Sequence, residues 1–118
     1  MIVDRTGNWH ELSAGRNLCL GIQTTQFTVA SGSFSEEEFL MIYADGWTEL
    51  KNGDGEMLGF DRFLKTLRAR VQGKTVQNCQ QITERIVADL DLFREQFLPS
   101  DDRTLLLCCR AEAGAGAV

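Results

Sequence analysis

The sequence predicts an α+β fold with strands and helices segregated along the chain. Three observations carry this. Short apolar runs rich in β-branched and aromatic residues fill the chain up to Asp45. Two consecutive stretches with helical apolar spacing follow, from Phe60 to Val71 and from Cys79 to Phe93. A final apolar run, "TLLLCCR", closes the chain's ordered part. Segregation of this kind favours largely antiparallel strands over a doubly wound parallel sheet.

Taken in order, "MIVD" and "WHEL" flank "RTGN", a turn-rich connection suited to a hairpin. "NLCLGI" and "QFTVA" read as further short strands, and "SGSFSEEE" as a polar turn. "FLMIYAD", Phe39 to Asp45, has strand length and no polar alternation, so burial on both faces is expected. After "KNGDGEMLG", the residues Phe60, Phe63, Leu64, Leu67 and Val71 recur on one helical face, with Arg62, Lys65, Arg68 and Arg70 left for solvent. Gly73 is a natural stop. A second helix is expected from about Val76 or Asn78 to Gln96, with Cys79, Ile82, Ile86, Leu90 and Phe93 on its apolar face. The short connection sets the two helices antiparallel. Pro99 prevents the second helix from continuing. Residues 1–110 form one domain, and the Gly-Ala-rich residues 111–118 a flexible tail.

With 118 residues the chain has room for one small domain. Its net charge of −5 argues against a nucleic-acid surface and against a basic membrane-binding patch. No apolar run approaches the roughly 18 residues of a membrane span, and the N-terminus has no signal-peptide pattern. A cytoplasmic location is expected. The four cysteines, Cys19, Cys79, Cys108 and Cys109, form no C-x-x-C pair, and His10 is the single histidine. That supplies a zinc site poorly. The expectation is reduced, mostly buried thiols, with Cys108 and Cys109 facing opposite sides of a strand.

Two acidic features adjoin predicted core strands. Asp45 ends "FLMIYAD", and Asp101 and Asp102 precede "TLLLCCR". If the strands are neighbours, carboxylates from distant parts of the chain meet at one end of the sheet. Such a cluster needs a cation or a shared proton, and carboxylates suit hard cations such as Mg²⁺ or Mn²⁺. On spacing alone the bland reading is the stronger: Asp-Gly is a common turn, and Asp101 and Asp102 can be a cap and a solvated acid. "NGDGE", Asn52 to Glu56, has Met57 where a calcium loop needs glycine and reads as a turn. Neither a dinucleotide-binding glycine pattern nor a G-x-S-x-G motif is present. Trp47 reads as a core anchor.

"LMIYADGWTELKNGDGEMLGFDRF", followed after two helices by "DDRTLLL", resembles the SpoIIE/RsbU-type serine phosphatases, a branch of the metal-dependent protein phosphatases also called the protein phosphatase 2C family. "DRTGNWHELSAGRNLCLGI" is similar to the family's hairpin and Leu-Gly segment, so the likeness covers Met1 to about Arg110. The resemblance implies the C-terminal half of a layered α+β domain, with antiparallel sheets flanked by an antiparallel helix pair. It implies that Asp45 and Asp101 are metal ligands, with Gly46, Asp102 and Thr104 in support, and that two Mn²⁺ or Mg²⁺ ions serve the complete domain. Gly46 is expected to let the backbone turn sharply beside the metal. Thr48 and Glu49 match the family's Thr-Glu pair. Ala44 and Trp47 depart from the usual threonine and smaller apolar residue. The family's Gly-Asp-x-x-Gly-x-Gly motif and its Gly-His segment are not found. The site is therefore expected to be incomplete, and this chain alone inactive. The implied substrate is a phosphorylated bacterial regulator of the anti-anti-sigma type. The implied partner is a missing N-terminal half or a second copy of the chain. The competing expectation is a catalytically inactive half-domain serving for binding or self-association.

Overall fold

The computed structural model describes residues 1–12, 21–24, 26–73, 79–95 and 102–110. The element order is β1 (Ile2–Asp4), β2 (Trp9–His10), β3 (Glu38–Tyr43), α1 (Gly59–Val71), α2 (Cys79–Arg94) and β4 (Leu105–Cys109). The fold is α+β: a four-stranded sheet in the order β2-β1-β3-β4, every pairing antiparallel, with the two helices on one face.

The β1–β2 hairpin forms where the turn residues predict it. The Asp4 carboxylate accepts from the Thr6 amide at 2.9 Å, the Thr6 hydroxyl at 2.6 Å and the Asn8 amide at 2.9 Å. Gly7 closes the turn at φ 92°, a conformation open to glycine. These hydrogen bonds, the Thr6 hydroxyl first, lower the Asp4 carboxyl from 3.8 to about 2. A depressed carboxyl contributes stability above its ordinary pKa and loses it as pH falls through the folded value. The Thr6 and Asn8 amide signals are therefore expected to titrate with a midpoint near 2 in an NMR pH series. A midpoint near 3.8 would show that the turn hydrogen bonds do not hold the charge.

The sheet's inner face and the helices share one core. Val3, Phe39 and Met41 from the sheet meet Phe63, Leu67 and Val71 of α1 and Ile82, Ile86 and Leu90 of α2. Burial of each such side chain contributes about 1.5–3 kcal/mol. The helical apolar faces are those read from spacing, and Phe60 and Phe93 sit at the core's margin. Arg62 lies over the Phe93 ring and Arg70 forks onto Asp89, its Nη2 2.7 Å from Oδ1. As α1 advances from 62 to 70 its α2 partner falls from 93 to 89, so the helices run antiparallel as expected. Gly73, at φ 70°, ends α1 and donates to the Arg5 carbonyl. "NGDGE" is a turn: the Asn52 side-chain oxygen accepts from the Asp54 and Glu56 amides.

Three expectations are corrected. First, β3 is buried on one face only. Phe39 and Met41 point into the core, but Ile42 is 53% exposed, as is its β4 neighbour Leu106 at 51%. An apolar run cannot by itself reveal whether a second layer covers the sheet. Second, "QFTVA" forms no strand: residues 26–30 have irregular backbone, and Val29 is 82% exposed. β-propensity without a neighbouring edge gives no sheet. Most of "NLCLGI", and the segment with Pro99, lie outside the described residues. Third, Cys79 and Cys109 are joined as a disulfide rather than held as separate thiols, with Cys108 free. Cys79 opens α2 and Cys109 ends β4 on the sheet's inner side. That tertiary contact leaves no trace in the spacing of the sequence. Cys108 and Cys109 do fall on opposite faces, as the strand period requires.

Candidate functional site

β3 and β4 are adjacent, and their pairing sets the acidic residues side by side. The register runs from Phe39↔Cys109 to Tyr43↔Leu105. One step on, the Ala44 amide donates to the Thr104 carbonyl at 3.0 Å. Continuing the register sets Asp45 opposite Arg103 and Gly46 opposite Asp102. Two motifs more than fifty residues apart thus share one corner of the sheet.

Asp45 is exposed and opens a tight turn. Its carbonyl accepts from the Glu49 amide at 2.9 Å and from the Thr48 hydroxyl at 3.1 Å. Its carboxylate is therefore left out of the turn's own hydrogen bonds and makes no ion pair with a described residue. Trp47 and Leu50 tuck inward from the same turn, 4% and 3% exposed, and anchor it to the core. Thr48 and Glu49 thus serve the turn, Thr48 through its hydroxyl.

Gly46 is buried, but its backbone is not in the left-handed region. The backbone does turn at Gly46, the Trp47 amide donating to the Ala44 carbonyl across it at 3.2 Å, and the need for glycine here is one of close approach. A Cβ on Gly46 would overlap the Asp102 carbonyl oxygen and lie 2.8 Å from the carbonyl carbon. The second acidic motif is thus laid directly on the first, and only glycine leaves room.

Asp102 and Thr104 are exposed beside this contact, and Asp101 lies outside the described residues. Arg103, which sequence reasoning passed over, reaches back across the turn. Its guanidinium carbon lies 4.8 Å from the centre of the Trp47 ring, and Nη1 donates to Asp91 of α2 at 2.8 Å. Asp91 also accepts from Arg94 at 2.9 Å. Burial pushes the Asp91 carboxyl up, but the hydrogen bonds and charges of Arg94 and Arg103 together outweigh it and hold the carboxyl below its ordinary range. The one available signal was a cation between the acidic pair and Thr104, two helices away in sequence from Trp47.

The candidate donors at this corner are oxygens, the exposed carboxylates of Asp45 and Asp102 and nearby backbone carbonyls, with the Arg103 guanidinium beside them. That suits a hard cation and not a soft one. Among the described residues no three His, Cys, Asp or Glu side chains cluster closely enough to hold a metal ion. Asp45 and Asp102 are the described carboxylates at this corner. No helix among the described residues is long and apolar enough to cross a membrane.

A family model, described as Stage II sporulation protein E (SpoIIE), matches residues 1–111. No curated protein and no solved structure matches.

Proposed function

This chain belongs to the SpoIIE family, and from that premise we propose that it is the C-terminal part of a metal-dependent phosphoserine/phosphothreonine protein phosphatase domain. The family match supports a phosphatase-related domain. The observation that carries the finer reading is the contact of Gly46 with the Asp102 backbone, which brings both acidic motifs to one corner. Asp45 and Asp101 would hold Mn²⁺ or Mg²⁺, with Gly46, Asp102 and Thr104 shaping the approach. When bound, such ions activate water and neutralise charge during phosphoryl transfer. The chain's own part is to fix the carboxylates at one end of a packed sheet. Further oxygen donors come from a segment that supplies the rest of the domain. That segment covers the exposed apolar side of β3 and β4, which completes a layered fold of the protein phosphatase 2C kind. The substrate class is a phosphorylated protein regulator in a bacterial signalling pathway in the cytoplasm.

The test is hydrolysis of a phosphoserine peptide with Mn²⁺, using the chain extended at its N-terminus by upstream phosphatase sequence. Activity is expected to vanish with Asp45→Ala and with Asp101→Ala. Activity that persists in both variants would sink the assignment.

The exposed apolar face favours a second reading, in which this half-fold serves for self-association. Ile42 and Leu106 are more than half exposed on adjacent strands, and β4 is the edge of the described sheet. Apolar faces and uncharged edges attract partners. On this reading, light scattering finds a dimer that Ile42→Lys with Leu106→Lys converts to a monomer. A chain that stays monomeric at every concentration rules it out.

A further inference from the structure

The Cys79–Cys109 bond lies at the margin of the core, not within it. Cys79 is the first residue of α2 and Cys109 the last of β4, 30 residues apart. Cys109 lies opposite Phe39 in the register, on the sheet's inner face. Both cysteines are only half-buried. Cys79 also walls an open groove of about 490 Å³ between α2 and β4, with Thr83, Val87, Leu105 and Leu107 along it. A small molecule can therefore reach this sulfur from solvent. The fold does not lean on the bond, since Ile82, Ile86 and Leu90 hold α2 to the core through buried side chains. The positive end of a helix dipole favours negative charge beside it, and the first turn of α2 carries no acidic residue to oppose this at Cys79. Cys108 stands on the opposite face of β4 and remains free.

We propose that Cys79–Cys109 is a reversible thiol–disulfide exchange site that takes a small monothiol of the glutathione kind, with Cys79 as the exchanging sulfur and Cys109 as the resolving one. It is independent of the cation-site reading. In the reducing direction the monothiol's thiolate attacks the Cys79 sulfur from the groove. A mixed disulfide forms, the Cys79–Cys109 bond breaks, and Cys109 leaves with the electron pair and takes up a proton. A second monothiol attacks the first one's sulfur in the mixed disulfide, and Cys79 leaves in the same way. The chain gains two electrons and two protons, and the two monothiols that supply them become one small disulfide. Reduction releases the start of α2 from the end of β4, at one end of the groove, while the buried core stays packed. A disulfide sealed inside the core offers no such exchange.

The test holds the 118-residue chain, folded and without denaturant, in a series of ratios of reduced to oxidised glutathione. Thiols are trapped with N-ethylmaleimide and assigned by peptide mass, and far-UV circular dichroism reports the fold. Cys79 and Cys109 are expected to pass together, and reversibly, between bonded and thiol forms with the helical signal kept. A bond that never forms, that opens only in denaturant, or whose opening abolishes the helical signal overturns the proposal. Single variants read the order of attack. With oxidised glutathione, Cys109→Ser is expected to form a mixed disulfide at Cys79 at least about tenfold faster than Cys79→Ser forms one at Cys109. Equal rates, or the reverse order, overturn the role given to Cys79. Should either variant lose its fold, the mixed disulfide trapped in the parent chain decides: on Cys79 it upholds the order, on Cys109 it overturns it. Cys108→Ser is expected to leave the midpoint unchanged, and a shifted midpoint overturns the assignment of the exchange to this pair.

Discussion

Gly46→Ala is expected to damage both stability and cation binding without altering a single charge. The reason is space. Gly46 is buried, and the added methyl would run into the carbonyl group of Asp102. The obstacle is backbone, so no rotamer change relieves it. Either the turn after β3 or the segment before β4 has to move. Overpacking of this kind costs about 1–3 kcal/mol. Displacing a ligand by about 1 Å costs about a hundredfold in a site that depends on geometry. Gly55→Ala makes the contrast: Gly55 has open space around it but lies at φ 78°, so its variant is strained locally and leaves the site intact. Chemical denaturation and Mn²⁺ binding, measured on both variants, check the difference. A Gly46→Ala chain as stable as the parent, with the same affinity, would mean that the two motifs are not in contact.

The second large effect concerns the acids themselves. In the N-terminally extended protein, Asp45→Ala and Asp101→Ala are each expected to lower phosphopeptide hydrolysis by at least about a hundredfold, because on the proposed reading each removes a direct ligand and not an outer support. Asp45→Asn separates charge from shape. The Asp45 carbonyl, not its carboxylate, holds the turn to Thr48 and Glu49. Asparagine therefore keeps the fold and loses the activity. Activity retained by Asp45→Asn would reduce Asp45 to a turn residue.

Much of the fold was legible in the sequence. Phe63, Leu67, Ile86 and Leu90 declare their helices by spacing, and all four are fully buried. Asp4, Thr6 and Asn8 declare the hairpin through turn chemistry. The adjacency of the two acidic motifs was legible only as a condition, that their strands be neighbours, which the β3–β4 register meets. Other features depend on contacts between elements far apart in the chain. The exposure of Ile42 and Leu106 depends on what else covers the sheet, which an apolar run does not encode. The pairing of Cys79 with Cys109 depends on where α2 crosses β4. Arg103 carries no signal in the sequence, and only the packing of Trp47 beneath it and Asp91 beside it gives it a place. The turn at Gly46 was legible, but its close approach to Asp102 was not, since that can be seen only once its neighbour is placed.

Whether Asp45 and Asp101 form one cation site is tested most directly by titrating Mn²⁺ into the 118-residue chain, into each single alanine variant and into the double variant. A shared site predicts that either single replacement removes most of the binding and that the second adds little to the first. Binding that survives both replacements, or losses that simply add, would contradict it.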